Sequence, residues 1–289
     1  MASLATHFTA SLFLCPLGIR RLLSSTSLYL KNPSLYRSKI WYFSEPKWKN
    51  LDLYTLLIVL PIASFSHIFI FFAFSGHPTY EFSFLQQSLV IFFFWALLIL
   101  IVLKESLDLY TVPENFVFIF AGIAFIIEFY MNGKGVVGLG GVVYGLLGGL
   151  AVLCAACCVY LSVKPSAFFA DFLLSSGLVL KGTWVLQVGL SLYSDAFGLK
   201  GCGKISWVTL TEDEADVKCE LEDDKWRGIA LMNFLFIVHV VMVIIASFAL
   251  FGLLHRYRSL RCGEASGVSL AEIESDGVLM HPLPELEMD

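Results

Sequence analysis

Charge is scarce in this chain, and so is any recognisable catalytic signature. Only 15% of the 289 residues are Asp, Glu, Lys or Arg, while 57% are hydrophobic. A typical soluble domain carries roughly 25% charged residues, so this composition excludes an ordinary globular enzyme. Histidine is sparse, with six residues spread from His7 to His281. No His-Glu-x-x-His and no Gly-x-Ser-x-Gly occurs, which removes the usual zinc-hydrolase and nucleophile-elbow patterns. No Asn-x-Ser/Thr acceptor occurs either, because Asn32-Pro33-Ser34 is blocked by its proline. The basic residues cluster beside apolar runs, a placement that topology explains without nucleic acid. No cofactor is indicated.

What is present is a series of apolar stretches, at about 4–19, 51–74, 84–103, 115–131, 136–161, 168–193 and 229–254. Spans need about 20 apolar residues each, and in lipid every backbone N–H and C=O must be satisfied within helices. The expected fold is therefore all-α: a multi-pass transmembrane bundle of about seven spans over residues 1–261. A polar loop 194–228 interrupts it, and an acidic tail, 262–289, is expected to be disordered.

Lys and Arg set the expected orientation. Segment 20–50 holds Arg20, Arg21, Lys31, Arg37, Lys39, Lys47 and Lys49, and Arg256, Arg258 and Arg261 follow the last stretch. Seven spans put both basic segments in the cytosol. The N-terminus and loop 194–228 then face outward or into a lumen. Residues 1–44 hold no acid and are rich in Ser, a composition that also resembles an organelle transit peptide.

Ionisable groups are expensive in hydrocarbon and usually face protein or a wet cavity. His67, Glu128, Lys181, Gln187 and His239 lie inside expected spans and are candidates for one polar pocket. Lys181 needs a counter-charge. Glu128 is the acid nearest in depth, and Asp171, earlier in the same span, is the poorer partner. Each group also has a plainer role as a polar contact between helices.

Gly141, Gly145 and Gly149 recur every four residues, a spacing that lets two helix backbones approach, within this chain or between two copies. Gly133-Lys134-Gly135-Val136-Val137-Gly138 matches a dinucleotide pattern by letters, but no strand precedes it. Cys202 and Cys219 share the outward loop and form a disulfide if that side is oxidising. Cys154, Cys157 and Cys158 read as small packing residues, with Cys158 and Cys262 also placed for acylation near the cytosolic face.

Residues 178–189, Leu-Val-Leu-Lys-Gly-Thr-Trp-Val-Leu-Gln-Val-Gly, resemble the best-preserved motif of the transmembrane protein 45 family. Glu222-Asp223-Asp224, Ala230-Leu231-Met232 and His239 are similar to that family's last span, and His7, Phe13 and Gly18 to its opening. Phe197-Gly198-Leu199-Lys200-Gly201-Cys202 looks like the plant branch. The chain departs from the pattern at Thr6, Ala10 and Ser11, where the family has Gly, Pro and Gly. It departs again at Gln86-Gln87, and at Phe129–Asn132, which replace histidines after Glu128. The resemblance implies a multi-pass protein of the endomembrane system or plasma membrane, with the first span retained and no established biochemical activity. The expected role is a non-enzymatic scaffold or regulator whose partners are the bilayer, further copies or other membrane proteins. The alternatives are a small-solute or proton transporter and, behind it, a membrane-embedded hydrolase.

Overall fold

A computed structural model of the protein describes residues 4–44, 50–73, 78–106, 112–132, 138–194, 201–203, 217 and 219–276. The described chain consists of seven α-helices and one short 3-10 turn. They are α1 (Leu4–Lys31), the turn Pro33–Leu35, α2 (Leu51–Ala73), α3 (Pro78–Ser106), α4 (Glu114–Met131), α5 (Gly138–Val163), α6 (Phe168–Tyr193) and α7 (Glu222–Asp276). Six helices, α2 to α7, are long and apolar enough to cross a membrane. The expected stretch 4–19 begins α1, whose hydroxyl side chains and paired arginines interrupt its apolar run. At 28 residues α1 is nonetheless long enough for the hydrocarbon core, about 30 Å thick.

Two boundaries differ from expectation. Arg20 and Arg21 lie inside α1, not in a loop, because α1 continues to Lys31. The last helix runs to Asp276, well into the stretch 262–289 expected to lack structure. Residues 277–289 of that tail lie outside the described residues. The described residues divide into two units, one ending at Ser247 and one beginning at Phe248.

Within the first unit α6 is the axis. Of its most apolar window 72% is buried against protein, compared with 11% for α2. It pairs along its length with α1, while α4 pairs with α5 and α2 with α3. Glycines make the α1–α6 seam possible. A Cβ added at Gly182 would stand 2.7 Å from Cys15 Sγ and 2.8 Å from the Cys15 backbone nitrogen, and one at Gly18 would meet the Val179 backbone at 2.7 Å. At Gly189 it would meet His7 Cβ at 2.6 Å. Without side chains the two backbones close up, and packing replaces the hydrophobic drive that lipid does not supply.

The interior has two apolar clusters. One joins Trp41, Leu56, Leu97, Phe118, Cys154, Cys157, Cys158 and Leu178. The other joins Leu139, Val143, Trp184, Leu192, Val217 and Met232. The three cysteines of α5 are thus packing residues. Cys158 is buried to 1% exposure, so its expected availability for acylation does not hold.

Candidate functional site

Lys181 sits at the midpoint of α6, and its side chain is almost fully buried. Its Nζ donates to Glu128 Oε2, from the last turn of α4. The ammonium also lies 5.0 Å from the centre of the Phe125 ring. Phe125 and Glu128 are three positions apart, so α4 presents both on one face. Stranding one partner of such a pair costs about 3–5 kcal/mol.

A second ion pair, which sequence reasoning did not propose, joins Arg21 to Asp171. Asp171, in the first turn of α6, is fully buried. Its Oδ1 accepts from Arg21 at 2.6 Å. Its Oδ2 accepts from Tyr36 Oη at 2.5 Å, Ser38 Oγ at 2.8 Å and Tyr42 Oη at 2.5 Å. A carboxylate at a helix N-terminus is also favoured by the helix dipole. Arg21 donates further to the Ile40 carbonyl at 2.6 Å, and its guanidinium lies over the rings of Tyr42 and Phe118. Burial, with the Asp171 charge added, pushes the phenols of Tyr36 and Tyr42 well above their ordinary value of 10.0. Both therefore stay protonated and donate.

These bonds turn segment 32–44 into a strap across one end of the bundle. The Ser38 N–H donates to the Pro165 carbonyl at 2.7 Å, and the Ile40 N–H to Glu114 Oε1 at 2.6 Å. Glu114 also pairs with Lys104. Arg20 pairs with Asp52 and donates to Asn50 and the Tyr42 carbonyl. Arg20, Arg21 and Asp171 were legible only as topological charges and a weak partner for Lys181. The usable signal was an Asp in an apolar run with no other cation assigned to it, and a following segment dense in Tyr and Ser.

The five residues expected to share a polar pocket do not converge. Only Glu128 and Lys181 meet. His67 is buried on α2 beside Phe84 of α3, at 6.4 Å between ring centres. Gln187 donates to Ser191 within its own helix at 2.9 Å. His239 Nδ1 lies 2.8 Å from its own Leu235 carbonyl, with the ring edge-on to Trp184. Helix rotation explains the scatter: similar depth in two spans says nothing about which faces oppose.

Within the chain, the close approach expected along Gly141, Gly145 and Gly149 is not seen at the last two. A Cβ at Gly145 or Gly149 would meet nothing within 4 Å, and Gly141 is half-buried. Gly148 of the same helix packs against Phe129. Cys202 and Cys219 form a disulfide; the rest of loop 194–228 is described only at Ser194, Gly201, Gly203, Val217 and from Glu220 on. Residues 133–137 of the glycine-rich run lie outside the described residues. At the same end of the bundle His7 is buried against Gly189, with Tyr144 Oη 3.3 Å from its Nε2 and the Tyr193 ring at 5.3 Å. Among the described residues no three His, Cys, Asp or Glu side chains gather as a metal site.

Between the α1–α6 pair and the α2–α3 hairpin lies a cavity of about 310 Å³. Its walls come from all of α1 to α6, including Leu17, Leu56, Leu97, Ala121, Cys158 and Leu178. Lys181 and Glu128 lie on it in one region, and Arg20, Arg21, Trp41 and Tyr42 in another. His67, Gln187 and His239 do not line it.

Helices of this length and composition define a multi-pass helical membrane protein. Residues 114–252 match the sequence model of a family described as a family of unknown function, DUF716. The matched part runs from α4 into α7 and contains Glu128, Asp171, Lys181 and His239, whereas Arg21 and the strap lie outside it. A comparison with curated proteins finds no match.

Proposed function

We propose that this chain is a plant-type relative of the transmembrane protein 45 family that acts as a non-enzymatic regulator or scaffold in the endomembrane system or plasma membrane. The observation that carries this reading is the pairing of the buried charges. Lys181 is matched by Glu128 and Arg21 by Asp171, each through direct contact. Charges that serve a pathway must be released during turnover, and a four-donor carboxylate is poorly suited to release. The cavity beside Lys181 is walled by apolar side chains, which suits a lipophilic occupant better than a file of water. Lipid-facing side chains on α2 and α7, such as Phe65, Phe69, Phe234 and Ile245, offer surfaces for the bilayer or for other membrane proteins.

The transporter reading draws on one fact, that Glu128 and Lys181 line a cavity. Both readings are tested by reconstituting the full chain in liposomes holding a pH-sensitive dye, under an imposed proton gradient and membrane potential. The regulator reading expects leakage no greater than in protein-free vesicles, for the wild type and for Lys181→Gln alike. Proton flux in the wild type that disappears in Lys181→Gln would overturn it.

A further inference from the structure

The strap end of the bundle also holds a cleft of about 970 Å³, bounded by the second half of α1, strap residues 39–44, the start of α2 and the end of α3. Ser24, Ser27, Leu28 and Lys31 line it. The last three lie three, four and seven positions after Ser24, which puts all four on one face of α1. Arg21, Leu22, Ser25 and Thr26 turn the other way and are buried. Lys39 faces the same cleft from the strap, and Lys104 and Glu105 from α3. Lys31 closes α1 and Lys104 lies in the last turn of α3. The cleft therefore sits where the helices leave the hydrocarbon, at the level of lipid headgroups.

Several polar groups of the lining are engaged within the protein. Lys104 is paired with Glu114, and Asn50 is bonded to Arg20 and Ser44. Lys31 and Lys39 are not engaged: both are exposed, and among the described residues neither makes an ion pair or a hydrogen bond. The Ser24 and Ser27 hydroxyls have no partner there either, and neither is enclosed. The Ser38 and Ile40 N–H groups, on either side of Lys39, dock the strap, so this lysine projects from a fixed backbone. Glu105 is the one unpaired acid among the described lining residues, which leaves two free cations against one free anion. Cations gathered in a concavity with apolar walls hold an anion more strongly than the same charges spread over open surface. Leu23, Leu28 and Tyr54 supply such a wall, and at 37%, 37% and 43% exposure they carry it outward to the lipid-facing side.

We propose that this cleft binds the headgroup of an anionic phospholipid in the leaflet that the strap faces. The phosphate lies against Lys31 and Lys39, Ser24 and Ser27 donate to its oxygens, and the acyl chains run down the apolar wall between α1 and α2. That leaflet is expected to be the cytosolic one, where anionic lipids are concentrated. The balance of free charge favours a head with one net negative charge, because Glu105 opposes each further one. Free phosphate offers the same anion, but only a lipid also covers Leu23, Leu28 and Tyr54. The site goes beyond the regulator reading and stands whether or not that reading holds.

The test uses the full chain in phosphatidylcholine nanodiscs with a diazirine-bearing phosphatidylserine as photoprobe. Saturable labelling is expected on peptides from the second half of α1 and the start of α2. Unlabelled phosphatidylserine and phosphatidylglycerol should compete for it, and added phosphatidylcholine or inorganic phosphate should not. Lys31→Gln and Lys39→Gln should each weaken binding about fivefold, the weight of one lysine at an anionic membrane surface. Glu105→Gln should strengthen it. Arg37 is exposed, lies two positions before Lys39 and does not line the cleft, so Arg37→Gln removes the same charge and should leave labelling unchanged. Labelling that is not saturable, or that falls equally in Arg37→Gln, marks diffuse attraction to the membrane and overturns the site. Equal competition by phosphatidylcholine overturns the anionic head, and displacement by inorganic phosphate overturns the lipid as its source. The comparison of competitors needs only the wild type, so the proposal remains falsifiable if a variant fails to fold.

Discussion

Arg21 and Asp171 are 150 positions apart in the chain and meet at 2.6 Å, with 7% and 0% of their side chains exposed. The contact joins the second half of α1 to the first turn of α6. It also gathers Tyr36, Ser38 and Tyr42, so one carboxylate anchors both a helix pair and the strap that follows α1.

Asp171→Asn removes the charge but keeps the shape. It should lower stability by about 3–5 kcal/mol, because Arg21 is left buried without its counter-ion. Adding Arg21→Gln should restore part of the loss. Thermal unfolding of the four proteins of the double-mutant cycle in detergent measures the coupling. Strictly additive effects would mean that the pair contributes nothing as a pair.

Glu128→Gln should also destabilise, by about 3–5 kcal/mol, and Lys181→Gln should cost less in that background than alone. The two cycles should be independent of one another, since the pairs share no partner. A Glu128 effect that vanishes in the Asp171→Asn background would contradict that.

Tyr36 and Tyr42 keep their protons well above pH 10 in the folded chain, because burial and the Asp171 charge disfavour phenolate. In the unfolded chain they ionise near pH 10. Their contribution is therefore complete below about pH 10 and declines as pH rises beyond it, because the unfolded state then releases protons that the native state retains. Unfolding followed at a series of alkaline pH values should show this decline. Replacing both with Phe should lower stability at neutral pH and flatten the alkaline slope. An unchanged slope would place the linkage elsewhere.

Gly182→Ala and Gly145→Ala should differ in sign. At Gly182 the new methyl meets the rigid Cys15 backbone, and overpacking of this kind costs about 1–3 kcal/mol. At Gly145 it meets nothing within 4 Å, so the helix gains up to about 1 kcal/mol from the better helix former. Loss of folded yield in Gly145→Ala would indicate a close contact on that face of α5, such as a second copy.

The strap end of the bundle is expected in the cytosol, and the Cys202–Cys219 disulfide on the oxidising side. Glycosylation sites inserted at residue 80 and in loop 194–228 should be modified, and one in the tail should not. Thiol labelling of the denatured protein should rise on reduction. A glycosylated tail would reverse the orientation.

Composition and apolar run length alone determined that the chain is helical and crosses a membrane, and they located α2 to α7 to within their ends. Both follow from a one-dimensional constraint, the need to satisfy backbone hydrogen bonds over the thickness of a bilayer. A partner for Lys181 was also legible, because depth is nearly linear in residue number and Glu128 was the acid at the right depth. Tertiary structure decided which faces oppose. Rotation about each helix axis separated His67, Gln187 and His239, turned Gly145 and Gly149 outward, and set Gly18 of α1 against α6 and Gly182 and Gly189 of α6 against α1. It also converted Arg20 and Arg21 from markers of orientation into ion-pair partners of Asp52 and Asp171, the second pair buried. Hydropathy averages over a helix's circumference, whereas an ion pair or a glycine seam depends on one azimuth, and only packing against a neighbour selects it.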